Sequence, residues 1–140
     1  MSQPRLNLRE FSEIVQRVTA GLPSPLSGYL ENVVVDVEER PSKRTLRQLG
    51  WGAGVAEDLM GLFQGSPLPE QQYGERHPNR ITLYKLPIER ACRSRAEIAY
   101  EVRRTIIHEL AHHFGFSEED LDEFEGIPSP FDKEEEWEES

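Results

Sequence analysis

The sequence predicts one small domain in which helices pack against a β-sheet. Its 140 residues fit a single domain. The stretches "NVVVDVEE" (residues 32–39) and "RITLYKLP" (residues 80–87) alternate in the way that is typical of strands. A long helical pattern from about residue 95 to residue 114 has two apolar faces, which indicates a central helix with the sheet on one side and another element on the other.

Two further helices are predicted before this central helix. The first begins at Asn7, which has capping-box spacing to Glu10, and it ends near Gly21 and Pro23. Its apolar residues at helical spacing are Phe11, Ile14, Val15, Val18 and Leu22. The stretch "GVAEDLMGLF" (residues 54–63) also has helical spacing, although Gly61 weakens the pattern. Residues 65–79 are predicted to form a long loop. Loops of that length more often have a function than not.

The central helix has clear predicted ends. Ser94 is the expected N-cap, and Glu97 would close a capping box with it. Gly115 stands where a left-handed residue commonly ends a helix. A short turn is expected near residues 118–124, and the acidic residues after it are expected to be loose beyond about Asp132. The buried stripe of the helix should contain Ile98, Val102, Ile106 and Leu110.

The charge is distributed unevenly along the chain. Residues 1–116 hold 15 Lys and Arg against 14 Asp and Glu, whereas residues 117–140 hold 12 acids and one base, Lys133. This distribution argues against nucleic acid as a partner, because phosphate contacts need clustered cations. No apolar run approaches the roughly 20 residues of a membrane helix, and the N-terminus does not resemble a signal peptide. With Cys92 as the single cysteine, a soluble cytoplasmic protein is predicted.

The stretch "HELAHHFGFSEED" contains an H-E-x-x-H motif at the end of the central helix. His108 and His112 are four residues apart, so their imidazoles share one helix face and can converge on one metal ion. Glu109 lies about 100° around the helix, where a carboxylate can act as general base without ligating the ion. The alternative is a helix end whose histidines only satisfy hydrogen bonds. The long capped helix and the Gly115 turn favour the metal site.

A catalytic zinc site needs a third protein ligand and an open position. Glu118 is the best placed, three residues after Gly115, and Glu119 or Asp120 are possible substitutes. The competing interpretation is that Glu118 is an acid favoured by the dipole of a following short helix. His113 lies away from the metal face and is interpreted as structural or as an outer partner of the site. His77 is interpreted as a solvated loop histidine.

The sequence resembles the zincin metallopeptidases and, more narrowly, a small bacterial family of minimal zincins. The similarity covers "GLFQGSPL", "NRITLYKLP" and "EVRRTIIHELAHHFGFSEEDLDE". It implies an α+β fold with a small sheet, a backing helix and a metal-binding helix, over residues 1–127, leaving 128–140 as an acidic tail. It also implies Zn²⁺ on His108, His112 and position 118, with Glu109 as the base. That position is Glu here, where the family has Asp.

The resemblance further implies a strand at the open edge of the sheet that binds an extended peptide substrate. The strand "ITLYKL" fits this role, so Leu83 and Tyr84 are expected substrate contacts; a plain core strand is the alternative. The predicted function is zinc-dependent hydrolysis of a peptide or protein. A peptide- or metal-binding module without catalysis is the second possibility. A structural zinc domain is less favoured, because such sites usually close with four ligands rich in Cys.

Overall fold

A computed structural model describes residues 5–50, 59–65 and 79–126. These residues form six helices and a small mixed sheet, which makes the domain α+β, as expected. None of the helices in these ranges is both long enough and apolar enough to cross a membrane. In chain order the elements are α1 (Leu8–Ala20), α2 (Leu26–Leu30), β1 (Val33–Glu38), α3 (Lys43–Leu49), β2 (Gly61–Gln64), β3 (Asn79–Tyr84), α4 (Lys85–Ala91), α5 (Arg95–Phe114) and α6 (Glu118–Gly126).

The three strands are ordered β1-β3-β2, so β3 lies in the middle of the sheet. It runs parallel to β1 and antiparallel to β2, and its Ile81 is paired with Val35 on one side and with Phe63 on the other. The expectation that this strand forms the open edge is therefore wrong. Leu83 is fully buried and Tyr84 is 2% exposed. Neither residue lies at an edge where a peptide could add to it.

The edge next to α5 is formed by β2, in a stretch that the sequence predicted to end a helix. The helical spacing of Leu62 and Phe63 is real, but pairing with β3 overrides it. Gly61 explains why a strand fits here. A Cβ at Gly61 would lie 2.5 Å from Cγ2 of Thr105 on α5, so only glycine allows the strand to approach the helix this closely. Residues 54–58 of the predicted helix lie outside the described ranges.

The boundary between β3 and α4 also differs from the prediction. The strand was expected to continue to Pro87, but it ends at Tyr84 and α4 begins at Lys85. Pro87 occupies the first turn of α4, where a backbone N–H has no partner within the helix. Proline is therefore compatible with this helix start, whereas it could not donate to a ladder in the centre of a sheet.

The helix caps follow the sequence closely. Asn7 and Glu10 form the predicted capping box of α1, with N–H to side-chain distances of 2.8 and 2.9 Å. Ser94 Oγ accepts the N–H of Glu97 at 3.1 Å, which confirms it as the N-cap of α5. The Glu97 carboxylate accepts from the N–H of Arg93, however, rather than from Ser94 as a capping box requires.

Beyond α5 the structure contains a turn and then a helix. Gly115 is left-handed with φ of 74°, as predicted, and α6 replaces the short turn that the sequence suggested. Ser117 and Asp120 start α6 with reciprocal bonds: each backbone N–H donates to the other's side chain, at 3.0 and 3.1 Å.

The core surrounds α5. Ile106 and Ile107 are both fully buried, which confirms that two faces of this helix are covered. Helix α1 packs on α5, as do β2, β3, α4 and α6. The apolar residues of α5 are thus used for packing, and its remaining face is left for the polar motif. Its buried residues are Ile98, Ala99, Val102, Ile106, Ile107, Leu110 and Ala111.

Candidate metal and catalytic site

The polar face of α5 opens onto a groove of about 290 Å³. Glu101, Thr105, His108 and His112 follow one another at spacings of three or four residues, so they lie along one side of the helix. The segment that leads into β2 and its first residue form the opposite wall. The structure thus brings the three motif residues into one cleft. Its lining residues are Leu59, Met60, Gly61, Glu101, Arg104, Thr105, His108, Glu109 and His112.

The carboxylate of Glu109 is held by the backbone of β2. The N–H of Phe63 donates to Glu109 Oε1 across 2.8 Å. Burial raises the pKa of Glu109 above its ordinary 4.5, while this hydrogen bond and the neighbouring His112 and His108 act in the opposite direction. A carboxylate that is partly desolvated accepts a proton more readily than one in water. Glu109 therefore combines a fixed position with a carboxylate that is partly withdrawn from water.

The imidazole of His108 has a carboxylate partner that the sequence did not predict. His108 Nε2 lies 2.6 Å from Oε1 of Glu125, in the last turn of α6. The separation is that of a short hydrogen bond, in which the imidazole N–H donates to the carboxylate of Glu125. No local motif in the sequence marks Glu125. Its position beside His108 follows only from a helix after Gly115 that folds back along α5. The sequence predicted a short turn there, and a short helix entered only as the alternative interpretation of Glu118.

Glu118 is not brought together with the two histidines. It is exposed and occupies the first turn of α6. Across residues 5–50, 59–65 and 79–126, no three His, Cys, Asp or Glu side chains stand close enough to hold a metal ion as they lie. Of the predicted substitutes, Asp120 is engaged at the start of α6 with Ser117. Glu118 as the third ligand stays a prediction.

The chemistry of the donor groups nevertheless fits zinc. His108 and His112 line the same groove, and at least one carboxylate, that of Glu125, reaches an imidazole nitrogen. Two imidazoles with one carboxylate are an established ligand set for catalytic zinc. Cys92, which zinc would otherwise prefer, is buried in the core and is not a lining residue of the groove.

His113 points away from the groove and packs on the edge strand. Its ring stacks on Phe63, with centroids 3.9 Å apart and an angle of 21° between the planes. It also meets Phe114 edge-on at 4.8 Å. His113 therefore joins the end of α5 to β2, which agrees with the structural role predicted for it. His77 lies outside the described residues.

The two residues expected to contact substrate, Leu83 and Tyr84, do not line the groove. Burial of the phenol inside the domain raises the pKa of Tyr84 to about 12. Among the described residues β1 and β2 are both edge strands, and Gly61 of β2 is a lining residue of the groove. Sequence reasoning missed β2, because a four-residue strand that contains glycine has a weak signal.

Comparison with known proteins gives one clear match. A family model described as zincin-like metallopeptidase matches residues 30–127, more than half of the chain. The matched region contains the whole sheet, α5 and α6. A search of the curated proteins finds no match.

Proposed function

The chain belongs to the zincin-like metallopeptidase family, and on that premise we propose that it hydrolyses peptide bonds with a zinc ion and with Glu109 as general base. The observation that carries the proposal is the position of Glu109. Its carboxylate is partly buried, is held by the N–H of Phe63, and lies in the same groove as His108 and His112. A helix end that is merely rich in histidine would not need a carboxylate fixed in this way.

Each motif residue has a role in this proposal. His108 and His112 provide the nitrogen ligands, and a carboxylate from the segment after Gly115 completes the set; by sequence this carboxylate is that of Glu118. When bound, zinc would supply Lewis-acid polarisation of the scissile carbonyl and lower the pKa of water toward 7. Glu109 accepts the proton of the attacking water and delivers it to the leaving nitrogen.

The proposed substrate is a peptide in extended conformation, bound along β2. Among the described residues β2 is paired on one side only, and strand addition at such an edge uses main-chain hydrogen bonds for affinity. This role replaces the one expected for Leu83 and Tyr84. We propose the cytoplasm as the compartment, because Cys92 is the single cysteine. The charge distribution argues against nucleic acid as a partner.

One observation favours a second candidate, a peptide-binding module that does not cut. His108 is already engaged by Glu125, and the described residues contain no assembled trio of metal ligands. In this alternative the groove would bind peptides whether or not a metal is present. The two functions differ in whether the peptide is cleaved and whether cleavage depends on zinc.

A digestion experiment separates these functions. Chelator-treated protein is divided and reloaded with Zn²⁺ or Mg²⁺, then incubated with a peptide library that is read by mass spectrometry. The proposal predicts new peptide termini with Zn²⁺ only, and none with the His112→Ala variant under the same treatment. Peptide binding without cleavage in every sample would favour the binding module. Equal cleavage by the His112→Ala variant would show that the activity comes from elsewhere.

A further inference from the structure

We propose that Arg104 selects peptides with an acidic side chain, Asp or Glu, two or three residues from the bond that is cut. This inference rests on the proposed function, since it names the class of substrate that the groove would take. It is carried by the part of the groove that lies before the histidine motif along α5. Leu59 and Met60 line one wall there, and Glu101 and Arg104 line the other.

The spacing along α5 sets the distance between Arg104 and the histidines. Arg104 precedes His108 by four residues, which is about 6 Å along the helix axis. Helical side chains lean toward the N-terminus, and Arg104 does so toward Glu101, one turn earlier. An extended peptide advances by about 3.3 Å per residue. A side chain two or three residues from a bond held beside His108 therefore lies level with Arg104.

The strand edge that would hold such a peptide continues to this level. The backbone N–H of Tyr84 donates to the carbonyl oxygen of Met60 at 2.8 Å, so β3 also fixes the residue that precedes β2. Met60 and Leu59 then continue as the wall that faces Glu101 and Arg104. A peptide that adds to β2 can thus extend past the histidines and run beside Arg104.

The guanidinium of Arg104 is only weakly engaged within the domain. Its side chain is 51% exposed, and its Nη1 lies 3.7 Å from Oε1 of Glu101. That separation is longer than a hydrogen bond, and exposed ion pairs of this kind stabilise little. A guanidinium has five N–H donors in a fork that matches both oxygens of a carboxylate. Arg104 can therefore bind a peptide carboxylate without losing a strong contact.

The other residues of the groove favour an acidic peptide side chain over a basic one. The carboxylates are less available than the guanidinium: the side chain of Glu101 is 20% exposed, and Glu109 accepts the N–H of Phe63. Leu59 and Met60 bring no charge. A lysine or arginine of the peptide would meet the more exposed Arg104 first, and like charges repel. Charge complementarity at this place therefore points to Asp or Glu.

Matched peptides test the preference on the zinc-loaded full chain. A peptide library first shows where the cleaved bond lies. Three peptides are then compared that differ only in Glu, Gln or Lys at the position, two or three residues from that bond, where the library shows the strongest selection. The Glu peptide should have a kcat/KM about 5- to 10-fold above that of the Gln peptide, between the effects of an exposed ion pair and of a charged hydrogen bond. Added NaCl should reduce this ratio.

Variants of Arg104 identify the residue that causes the preference. Arg104→Gln should cleave the Glu and Gln peptides equally, and Arg104→Glu should prefer the Lys peptide. Arg104→Lys should retain part of the preference, because it keeps the charge and loses the fork. Arg9→Gln is the matched control: it also removes one Arg charge, from a side chain on α1 that is 89% exposed, and it should keep the full preference. Circular dichroism checks that each variant is folded.

Binding measurements separate this inference from the proposed function. Fluorescence anisotropy of the three labelled peptides with Glu109→Gln, alone and combined with Arg104→Gln, measures the charge preference without cleavage. A Glu preference that depends on Arg104, in a chain that never cuts, would support the inference while the proposed function fails. Cleavage without a Glu preference, or with one that Arg104→Gln leaves intact, would overturn the inference and leave the proposed function standing. Failure to bind or cut any peptide would overturn both.

Discussion

The backbone N–H of Phe63 and the carboxylate of Glu109 are joined by a hydrogen bond of 2.8 Å between a sheet edge and the central helix. This bond depends on how closely β2 approaches α5, because the strand can lie there only if Gly61 has no side chain. The position of the proposed base is thus linked to a glycine two residues before its hydrogen-bond donor. That link can be tested without changing any ligand or the base itself.

Substituting Gly61 by alanine should reduce both stability and hydrolysis. The new Cβ would lie 2.5 Å from Thr105 Cγ2 and 3.3 Å from the carbonyl oxygen of Thr82, so β2 must move away from α5. Overpacking of this kind costs about 1–3 kcal/mol. We expect that loss of unfolding free energy in urea titrations, together with a lower kcat at unchanged zinc content. Adding Thr105→Ser removes Cγ2 and should restore much of both.

Gly28→Ala provides the matched control for this substitution. Apart from its chain neighbours and the backbone of its own helix, nothing lies within 4 Å of a Cβ at Gly28, and the residue is within α2, where alanine is favoured over glycine. Its stability should be unchanged or slightly higher, with normal hydrolysis. If Gly61→Ala behaves like Gly28→Ala, the close approach of β2 to α5 is not a constraint on the site.

Lys85 and Glu89 form a buried ion pair that should matter for folding. Their side chains are 6% and 10% exposed, and Lys85 Nζ lies 3.4 Å from Glu89 Oε2. The same oxygen accepts the N–H of Leu6 at 2.7 Å. Lys85→Met would leave the buried carboxylate without its cation, and removing one partner of such a pair typically costs about 3–5 kcal/mol. Urea unfolding monitored by fluorescence measures the loss.

The ion pair between Arg9 and Glu13 lies on the surface and serves as the control for the buried pair. The side chains are 89% and 61% exposed, so Arg9→Met should change the unfolding free energy by less than about 0.5 kcal/mol. Similar effects of the two methionine substitutions would indicate that Lys85 and Glu89 are solvated in solution.

The buried thiol of Cys92 should make the free energy of unfolding fall at alkaline pH. Burial raises the pKa of its thiol from 9.0 to about 12 in the folded state. The unfolded thiol therefore ionises first, and ionisation favours unfolding. The contribution is fully present below about pH 9 and is lost toward pH 12, at up to about 1.4 kcal/mol per pH unit. The unmodified chain should lose stability more steeply than Cys92→Ala between pH 8 and pH 11; parallel curves would mean that the thiol is accessible.

The acidic end gives a prediction that depends on the sequence alone, since residues 127–140 lie outside the described ranges. Twelve of the last 24 residues are acids, and Phe131 and Trp137 interrupt them. We hypothesise that this segment folds over the groove and lowers hydrolysis; a solvated charge run is the alternative. Deleting residues 129–140 should then raise peptide hydrolysis and weaken its salt dependence. Identical kinetics of both proteins at low and high salt would support the alternative.

The strongest local signals in the sequence predicted their structures well. Asn7 with Glu10, Ser94 and Gly115 mark helix ends through bonds within a few residues, so sequence alone contains the information. The two faces of α5 were also predictable, because its apolar residues recur at helical spacing. The H-E-x-x-H motif identified three of the groove residues for the same reason.

The errors arose where contacts between distant segments decide the outcome. The stretch 54–63 has helical spacing in the sequence, but its last residues belong to strand β2, because β3 and Thr105 lie beside them. Because β2 pairs with β3, Leu83 is buried. The sequence of β3 does not show whether the strand is central or at an edge. Glu125 was missed because its contact with His108 depends on the direction of α6, which begins at a Ser117–Asp120 cap that was not recognised.

The most direct test of the account compares the zinc-loaded unmodified chain with Glu109→Gln at equal zinc content. Glutamine keeps the size of the side chain and can still accept from Phe63, but it cannot take a proton from water. We predict equal zinc stoichiometry by elemental analysis and a fall in kcat for peptide cleavage of about 10²- to 10⁴-fold, the range for loss of a general base. Undiminished cleavage by Glu109→Gln with one zinc per chain would contradict the proposed mechanism.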